Sequence, residues 1–90
     1  MITLRIPTPL RPYTAGQTVV TVQGANVQEA LQDLVTQYPQ LQKHLFNEAG
    51  ELRPFVNLFL DDEDIRHLQG TNTLLKDGDK LMIIPSIAGG

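Results

Sequence analysis

The sequence lacks several residue types that usually carry chemistry. Its 90 residues include no cysteine, no tryptophan and only two histidines, His44 and His67. Without cysteine the chain forms no disulfide scaffold, no cysteine-ligated zinc site and no thiol nucleophile. The two histidines fall on different predicted elements without the spacing of a shared metal site, and we interpret both as surface residues. A P-loop, a GxSxG elbow and a dinucleotide fingerprint are absent, so we expect this chain to bind no metal or cofactor itself.

Basic residues and long apolar runs are also scarce. Seven Lys and Arg stand against ten Asp and Glu, which gives a net charge of −3. A protein binds nucleic acid largely by replacing phosphate counterions with basic side chains, and this chain has few of them. The composition therefore argues against nucleic acid as a partner. No apolar run reaches the length of a signal peptide or a membrane span, and we predict a cytoplasmic protein without membrane contact.

The residues that are present predict one small globular domain. Hydrophobic residues make up 41% of the chain, a proportion typical of a folded protein. Because a chain of this size supports a single core, we assign residues 1–90 to one domain, with a flexible tail over residues 86–90.

Apolar spacing in the first half predicts two strands and a helix. Residues 2–6 alternate apolar and polar side chains, and residues 17–22 are rich in β-branched side chains, as strands are. Three prolines between them predict a loop over residues 7–16. Asn26 precedes Glu29 by the spacing of a capping box, and apolar residues then follow at helical spacing as far as Tyr38. A further short helical turn is predicted over residues 41–46.

The second half predicts the rest of a sheet. Residues 55–60 form the clearest strand, residues 61–63 a turn, residues 64–68 a short edge strand and residues 80–84 the last strand. Together these elements indicate an α+β fold, with a mixed sheet of four to five strands and one main helix packed on one face.

Two surfaces are candidate docking sites. The Val and Leu side chains of residues 55–60 share one strand face, which we expect to meet the helix. Phe55 and Phe59 then lie on the open face as partner-binding residues, unless the loop over residues 7–16 or the curl of the sheet covers them. The acidic residues 61–64 lack the glycine and the distal glutamate of a calcium loop. We interpret them as a solvated turn, or else as an acidic docking face for a basic partner.

The sequence ends in two glycines. Pro85 stops the last strand because proline cannot donate to a strand ladder, and Gly89 and Gly90 follow shortly after. Glycine has no Cβ, so its backbone can enter a narrow channel and approach a nucleotide closely. The carboxylate of Gly90 is then an unhindered acyl group, with Ile87 and Ala88 beside it as further partner-binding residues. The alternative is a frayed terminus without a role.

These features resemble the ThiS/MoaD sulfur-carrier family, whose members have a ubiquitin-like β-grasp fold. The family signal is the Ile-Pro-Ser-Ile-Ala-Gly-Gly ending and the Leu-Lys-Asp-Gly-Asp-Lys-Leu segment over residues 75–81. Further segments are similar to the CysO-type branch of cysteine biosynthesis: Arg5-Ile6-Pro7-Thr8, Leu10-Arg11-Pro12, Gly16-Gln17, Phe55-Val56-Asn57 and Asp62-Glu63-Asp64-Ile65-Arg66.

The resemblance implies a protein co-substrate and not an enzyme. In the family, an E1-like enzyme uses ATP to adenylate the terminal glycine, here Gly90, and sulfur then replaces the adenylate to give a thiocarboxylate. In the CysO-type branch a PLP-dependent, cysteine synthase-like enzyme supplies an activated serine, and a zinc metallopeptidase releases the cysteine. ATP, PLP and zinc would therefore belong to partner enzymes. The alternatives are a carrier for molybdopterin or thiazole synthesis, a ubiquitin-like protein modifier, or an interaction module with an idle tail.

Overall fold

The computed structural model describes residues 1–53 and 56–85. Their elements follow the chain in this order: β1 (Ile2–Arg5), β2 (Val19–Val22), α1 (Val27–Gln37), α2 (Gln42–Leu45), β3 (Val56–Leu60), β4 (Glu63–Asp64) and β5 (Lys80–Pro85). Four short 3₁₀ segments lie between them, at Thr8–Thr14, Pro39–Leu41, Ile65–His67 and Gly70–Asn72.

The strands form one mixed sheet in the order β2-β1-β5-β3-β4. The last strand, β5, is central: it pairs in parallel with β1 and antiparallel with β3. The outer pairs, β1 with β2 and β3 with β4, are antiparallel. The predicted α+β class, with a mixed sheet and one main helix, is confirmed.

The core lies between this sheet and α1. Leu31 and Leu34 of α1 are fully buried, and Leu4 and Leu58 supply the matching layer from the sheet. All four belong to a single cluster of buried apolar side chains. Burying a side chain of this size contributes roughly 1.5–3 kcal/mol to folding, so this layer is the main source of stability.

The start of α1 is determined by local hydrogen bonds. The Asn26 side chain accepts a bond of 2.8 Å from the Glu29 N–H, and the Glu29 carboxylate accepts one of 2.8 Å from the Ala25 N–H. The predicted capping pair is therefore present. Gly24 lies tightly against this turn, because a Cβ built there would lie only 2.5 Å from the backbone nitrogen of Ala30.

Two predicted segments differ from the structure. The loop over residues 7–16 contains a seven-residue 3₁₀ segment, in which Thr14 is buried and donates to the Arg11 and Gln17 carbonyls. The edge strand predicted over residues 64–68 is wrong. β4 ends at Asp64, whose side chain accepts from the Arg66 N–H at 2.9 Å and begins a 3₁₀ turn instead. That turn buries Ile65, which is 3% exposed.

The two histidines differ in environment. His67 is exposed, with its Nδ1 3.5 Å from a Glu63 carboxylate oxygen. His44 is half-buried, and its ring centroid lies 4.3 Å from that of Tyr13. The interpretation as a surface residue is therefore correct for His67 and wrong for His44, because the 3₁₀ segment that carries Tyr13 covers it.

Within the described ranges, no helix is both long and apolar enough to cross a membrane.

Candidate functional site

β5 is paired with a strand on each side and ends at one end of the sheet. Leu81 and Ile83 are each 2% exposed and pair with Leu4 of β1 and Leu58 of β3, respectively. At its end, Pro85 pairs with Val56, the first residue of β3. We call this end of the sheet the tail end. A strand bonded on two sides and packed into the core is a rigid base for the residues that follow it.

The predicted carrier residues, Gly89 and Gly90, lie outside the described residues. So do Ile87, Ala88 and the whole predicted tail over residues 86–90, and Phe55 as well. Their predicted roles remain predictions, and the site that the structure does describe is the surface from which the last strand leads to them.

The open face of the sheet carries an apolar strip. Val56 and Leu58 face the core, so Phe59 lies on the opposite face, as the alternation predicts. It is half-buried and pairs with Met82 of β5. Ile84 follows on the same face and is 42% exposed, and Val19 of β2 is 47% exposed. Neither the loop over residues 7–16 nor the sheet itself covers these side chains fully.

Sequence reasoning missed three of these four residues. It placed Phe59 on the open face but did not extend the same alternation to Met82 and Ile84, which stand opposite the buried Leu81 and Ile83. That signal was available in residues 80–84. Val19 is different, because it joins the strip only through the pairing of β2 with β1, and pairing is not visible in the sequence.

A hydrogen-bonded network borders the strip on the β4 side. The Arg66 guanidinium donates to both carboxylate oxygens of Asp64, at 3.2 and 2.8 Å, and to the Asn57 side-chain oxygen at 2.6 Å. These hydrogen bonds, from the Arg66 side chain first and its backbone second, lower the pKa of Asp64 to about 2. Asp64 is therefore charged near neutral pH, and it positions Arg66 over the open face.

This network divides the acidic run. Asp61 and Asp62 remain exposed in the turn after β3, whereas Asp64 is paired with Arg66. Across the parts of the chain described here, no group of three or more His, Asp or Glu side chains is placed to hold a metal ion. A concavity of about 490 Å³ lies between this turn and the sheet, lined among others by Arg5, Lys80, Asp61 and Asp62. An apolar strip with charges of both signs at its border is typical of a protein-docking surface.

The comparisons with known proteins agree with this arrangement. The model of the ThiS family matches residues 4–90. The sulfur carrier protein CysO of Mycobacterium tuberculosis is 38% identical over 91 residues, covering 99% of this chain and 98% of the relative. The crystal structure of the BexX/CysO complex from Amycolatopsis orientalis has a chain with 38% identity and a TM-score of 0.90, with full coverage of both chains. The solution structure of small archaeal modifier protein 1 from Methanosarcina acetivorans has 32% identity and a TM-score of 0.89, covering 99% of this chain and 95% of that one.

The fold is therefore the ubiquitin-like β-grasp, as the resemblance implied. On the match of the family model and the identity along nearly the whole length of a curated relative, this chain belongs to the ThiS family and is a sulfur carrier.

Proposed function

We propose that the Gly90 carboxylate is the group that carries sulfur. A carboxylate oxygen attacks the α-phosphate of ATP and releases pyrophosphate, which leaves an acyl-adenylate. Sulfide then attacks the acyl carbon and displaces AMP, which leaves a thiocarboxylate with one oxygen replaced by sulfur. The observation that supports this most directly is the family match, which extends to residue 90.

We propose that the apolar strip of the open face is the surface that docks on the E1-like activating enzyme. The strip consists of Val19, Phe59, Met82 and Ile84; three of these residues lie on β3 and β5, and Ile84 is the one nearest the tail end. An enzyme that binds this face holds the base of β5 in place, so that residues 86–90 can extend into its channel. Five extended residues reach about 17 Å, which sets how far the reactive group can lie from the strip.

We propose that the sulfur is used for cysteine. The supporting observation is that CysO of Mycobacterium tuberculosis is 38% identical along nearly the full length of both chains. The partners are then a PLP-dependent, cysteine synthase-like enzyme that supplies an activated serine, and a zinc metallopeptidase that releases cysteine from Gly90. The chain itself acts as their co-substrate.

Intact-protein mass spectrometry tests this proposal. The chain is incubated with ATP, a sulfide source and extract of cells of the source organism, and the expected result is the mass increase for one oxygen replaced by sulfur. With an activated serine present, the mass should instead exceed that of the unmodified chain by one cysteine residue, because the sulfur of the thiocarboxylate is retained in the cysteine. The matched control is the chain without Gly89 and Gly90, which should show neither change. No mass change in the full chain, with the activating enzyme shown to be active, would contradict the carrier function.

A second candidate is a ubiquitin-like protein modifier, joined through Gly90 to lysines of other proteins. The likeness to small archaeal modifier protein 1 favours it, because the two chains share 32% identity over nearly their whole length. Both functions begin with the same adenylation. Isopeptide adducts on lysines in cell extract would support the modifier, and sulfur transfer without such adducts would support the carrier alone.

A further inference from the structure

The open face of the sheet has a row of side chains that crosses all five strands. Val19 pairs with Arg5, Arg5 with Met82, Met82 with Phe59 and Phe59 with Asp64. Paired residues on neighbouring strands project to the same face, so these side chains lie side by side. Met82 and Phe59 stand on the two inner strands, β5 and β3, and both are half-buried. The middle of the row is therefore apolar.

The unpaired charges around this row are divided between the two halves of the face. Arg5 and Lys80 lie on β1 and β5, whereas Asp61 and Asp62 lie in the turn that follows β3. All four residues line the concavity of about 490 Å³ on this face. The half that β1 and β5 form is thus positive, and the half beyond β3 is negative.

These four charges do not pair within one copy of the chain. Among the ion pairs found in residues 1–53 and 56–85, none joins Arg5 or Lys80 to Asp61 or Asp62. The Asp61 N–H donates to the Lys80 carbonyl at 2.8 Å, so these two residues stand at the same level on neighbouring segments. Cations and acids that share one concavity without forming ion pairs remain available to a second molecule.

A face of this kind is complementary to a second copy of itself. A two-fold axis can lie parallel to the strands, between two facing sheets and above the gap between β5 and β3. Rotation about this axis places β5 of one copy over β3 of the other and keeps every residue at its level along the strands. Met82 then faces Phe59 of the second copy, and Lys80 faces Asp61 and the adjoining Asp62. In a symmetric pair each of these contacts occurs twice.

The remaining charges of the face do not oppose this arrangement. The same axis places β1 of one copy over β4 of the other, so that Arg5 faces Asp64. Asp64 is already paired with Arg66, and this part of the contact is therefore close to neutral. The attraction between the copies comes mainly from the apolar centre and from the two contacts of Lys80 with the acidic turn.

We propose that two copies of this chain associate face to face through their open faces, with Met82 and Phe59 at the centre and Lys80 against Asp61 and Asp62. Sheets that pack in this way lie about 10 Å apart, which lets the side chains of both faces meet. Five strands give a face only about 19 Å wide, so the interface belongs to the small and transient class. Half of the chain should be dimeric at roughly 0.1–1 mM.

This association has a consequence for the carrier. It covers Phe59 and Met82, which belong to the apolar strip, so a copy in the dimer cannot dock on the activating enzyme. That consequence rests on the proposed function, whereas the association itself does not. The dimer is then a reserve from which the monomer is drawn as the enzyme uses it.

NMR spectra of the isotope-labelled chain test the association directly. The chain is diluted from about 1 mM to about 20 µM, a range that spans the expected dissociation constant. Amide shifts should change with concentration in β3, in β5 and in the turn at residues 61 and 62, and stay constant on α1. High salt should weaken the association, because it screens the contacts of Lys80.

Charge reversal tests the pairing of Lys80 with the acidic turn. Lys80→Glu and Asp62→Lys each replace two attractive contacts by two repulsive ones and should raise the dissociation constant at least about fivefold. Asp62 is chosen because Asp61 has a φ of +55°, which a lysine adopts poorly. A mixture of the two variants should associate about as tightly as the wild type, since every contact again joins an acid to a base. Lys76→Glu makes the same charge change on an exposed turn outside this concavity and should stay within about twofold of the wild type.

Three results would overturn the proposal: wild-type shifts that do not change up to about 1 mM, changes confined to another surface, or a mixture that associates no better than each variant alone. The same spectra show whether each variant is folded. Lys80→Gln and Asp62→Asn, which remove charge without adding repulsion, replace any variant that is not. None of these measurements involves ATP or the activating enzyme, so their failure leaves the proposed function intact, and failure of adenylation leaves the association to stand on its own.

Discussion

Truncating Ile84 should weaken docking on the activating enzyme while leaving the fold intact. The side chain is 42% exposed, so that share of its surface is available for burial by a partner. Full burial of an Ile side chain is worth roughly 1.5–3 kcal/mol, and this share corresponds to about 0.6–1.3 kcal/mol. At about 1.4 kcal/mol for each factor of ten, Ile84→Ala should raise KM about 3- to 9-fold.

Leu74 provides a matched control for this variant. It is 73% exposed and lies before β5, away from the open face. Leu74→Ala removes a similar apolar side chain and should leave KM unchanged. The assay is ATP-dependent pyrophosphate release at several concentrations of the chain, with urea denaturation to establish that each variant is folded at the assay temperature. Equal KM values for the two variants, or a loss of activity that appears only in kcat, would refute the assignment of the strip as the docking surface.

Three further predictions concern the fold and its charges. Leu31→Ala should lower the free energy of unfolding by about 2–5 kcal/mol in urea denaturation, because Leu31 is fully buried and its loss leaves a cavity. Gly24→Ala should lower the free energy of unfolding more than Gly50→Ala does. A Cβ at Gly24 would lie 2.5 Å from the α1 backbone, whereas a Cβ at Gly50 has nothing within 4 Å and is disfavoured only by the φ of +80°. A smaller loss of stability for Gly24→Ala than for Gly50→Ala would contradict the close packing of Gly24 against α1. The pKa of Asp64 is lower in the folded protein than in the unfolded chain, so the ionised carboxylate stabilises the fold. This stabilisation is complete at pH values above the pKa that Asp64 has in the unfolded chain, and it is lost as the pH falls toward about 2. An NMR titration should show this pKa, and Arg66→Gln should raise it; an unchanged pKa would contradict the role of Arg66.

Sequence patterns predicted the elements whose signals are local. The capping pair of Asn26 and Glu29 lies within one turn of chain, so its geometry follows once the helix forms. The strand at residues 56–60 is similar, because alternation alone decides which side chains face the core and places Phe59 on the open face. Family resemblance then supplied the fold name and the role of the terminal glycines.

Several features were not predictable in this way because they depend on contacts between distant segments. His44 was interpreted as a surface residue, and only the packing of the 3₁₀ segment that carries Tyr13 covers it. The edge strand predicted over residues 64–68 failed because the buried position of Ile65 and the hydrogen bonds of Asp64 favour a turn. Neither the strand propensity of these residues nor the alternation of apolar and polar side chains shows that a turn is favoured over a strand here.

By itself, the sequence determined the class of the fold and which side chains of β3 face the core, because both follow from side-chain order along the chain. The role of Gly90 in carrying sulfur is what the family resemblance implies. Tertiary structure alone decided the apolar strip of the open face. The strip joins Val19 to Ile84 through the pairing of β2 with β1 and of β1 with β5. Residues so far apart in the chain become neighbours only when a core buries the strands between them, since that burial provides the free energy that closes the intervening loops.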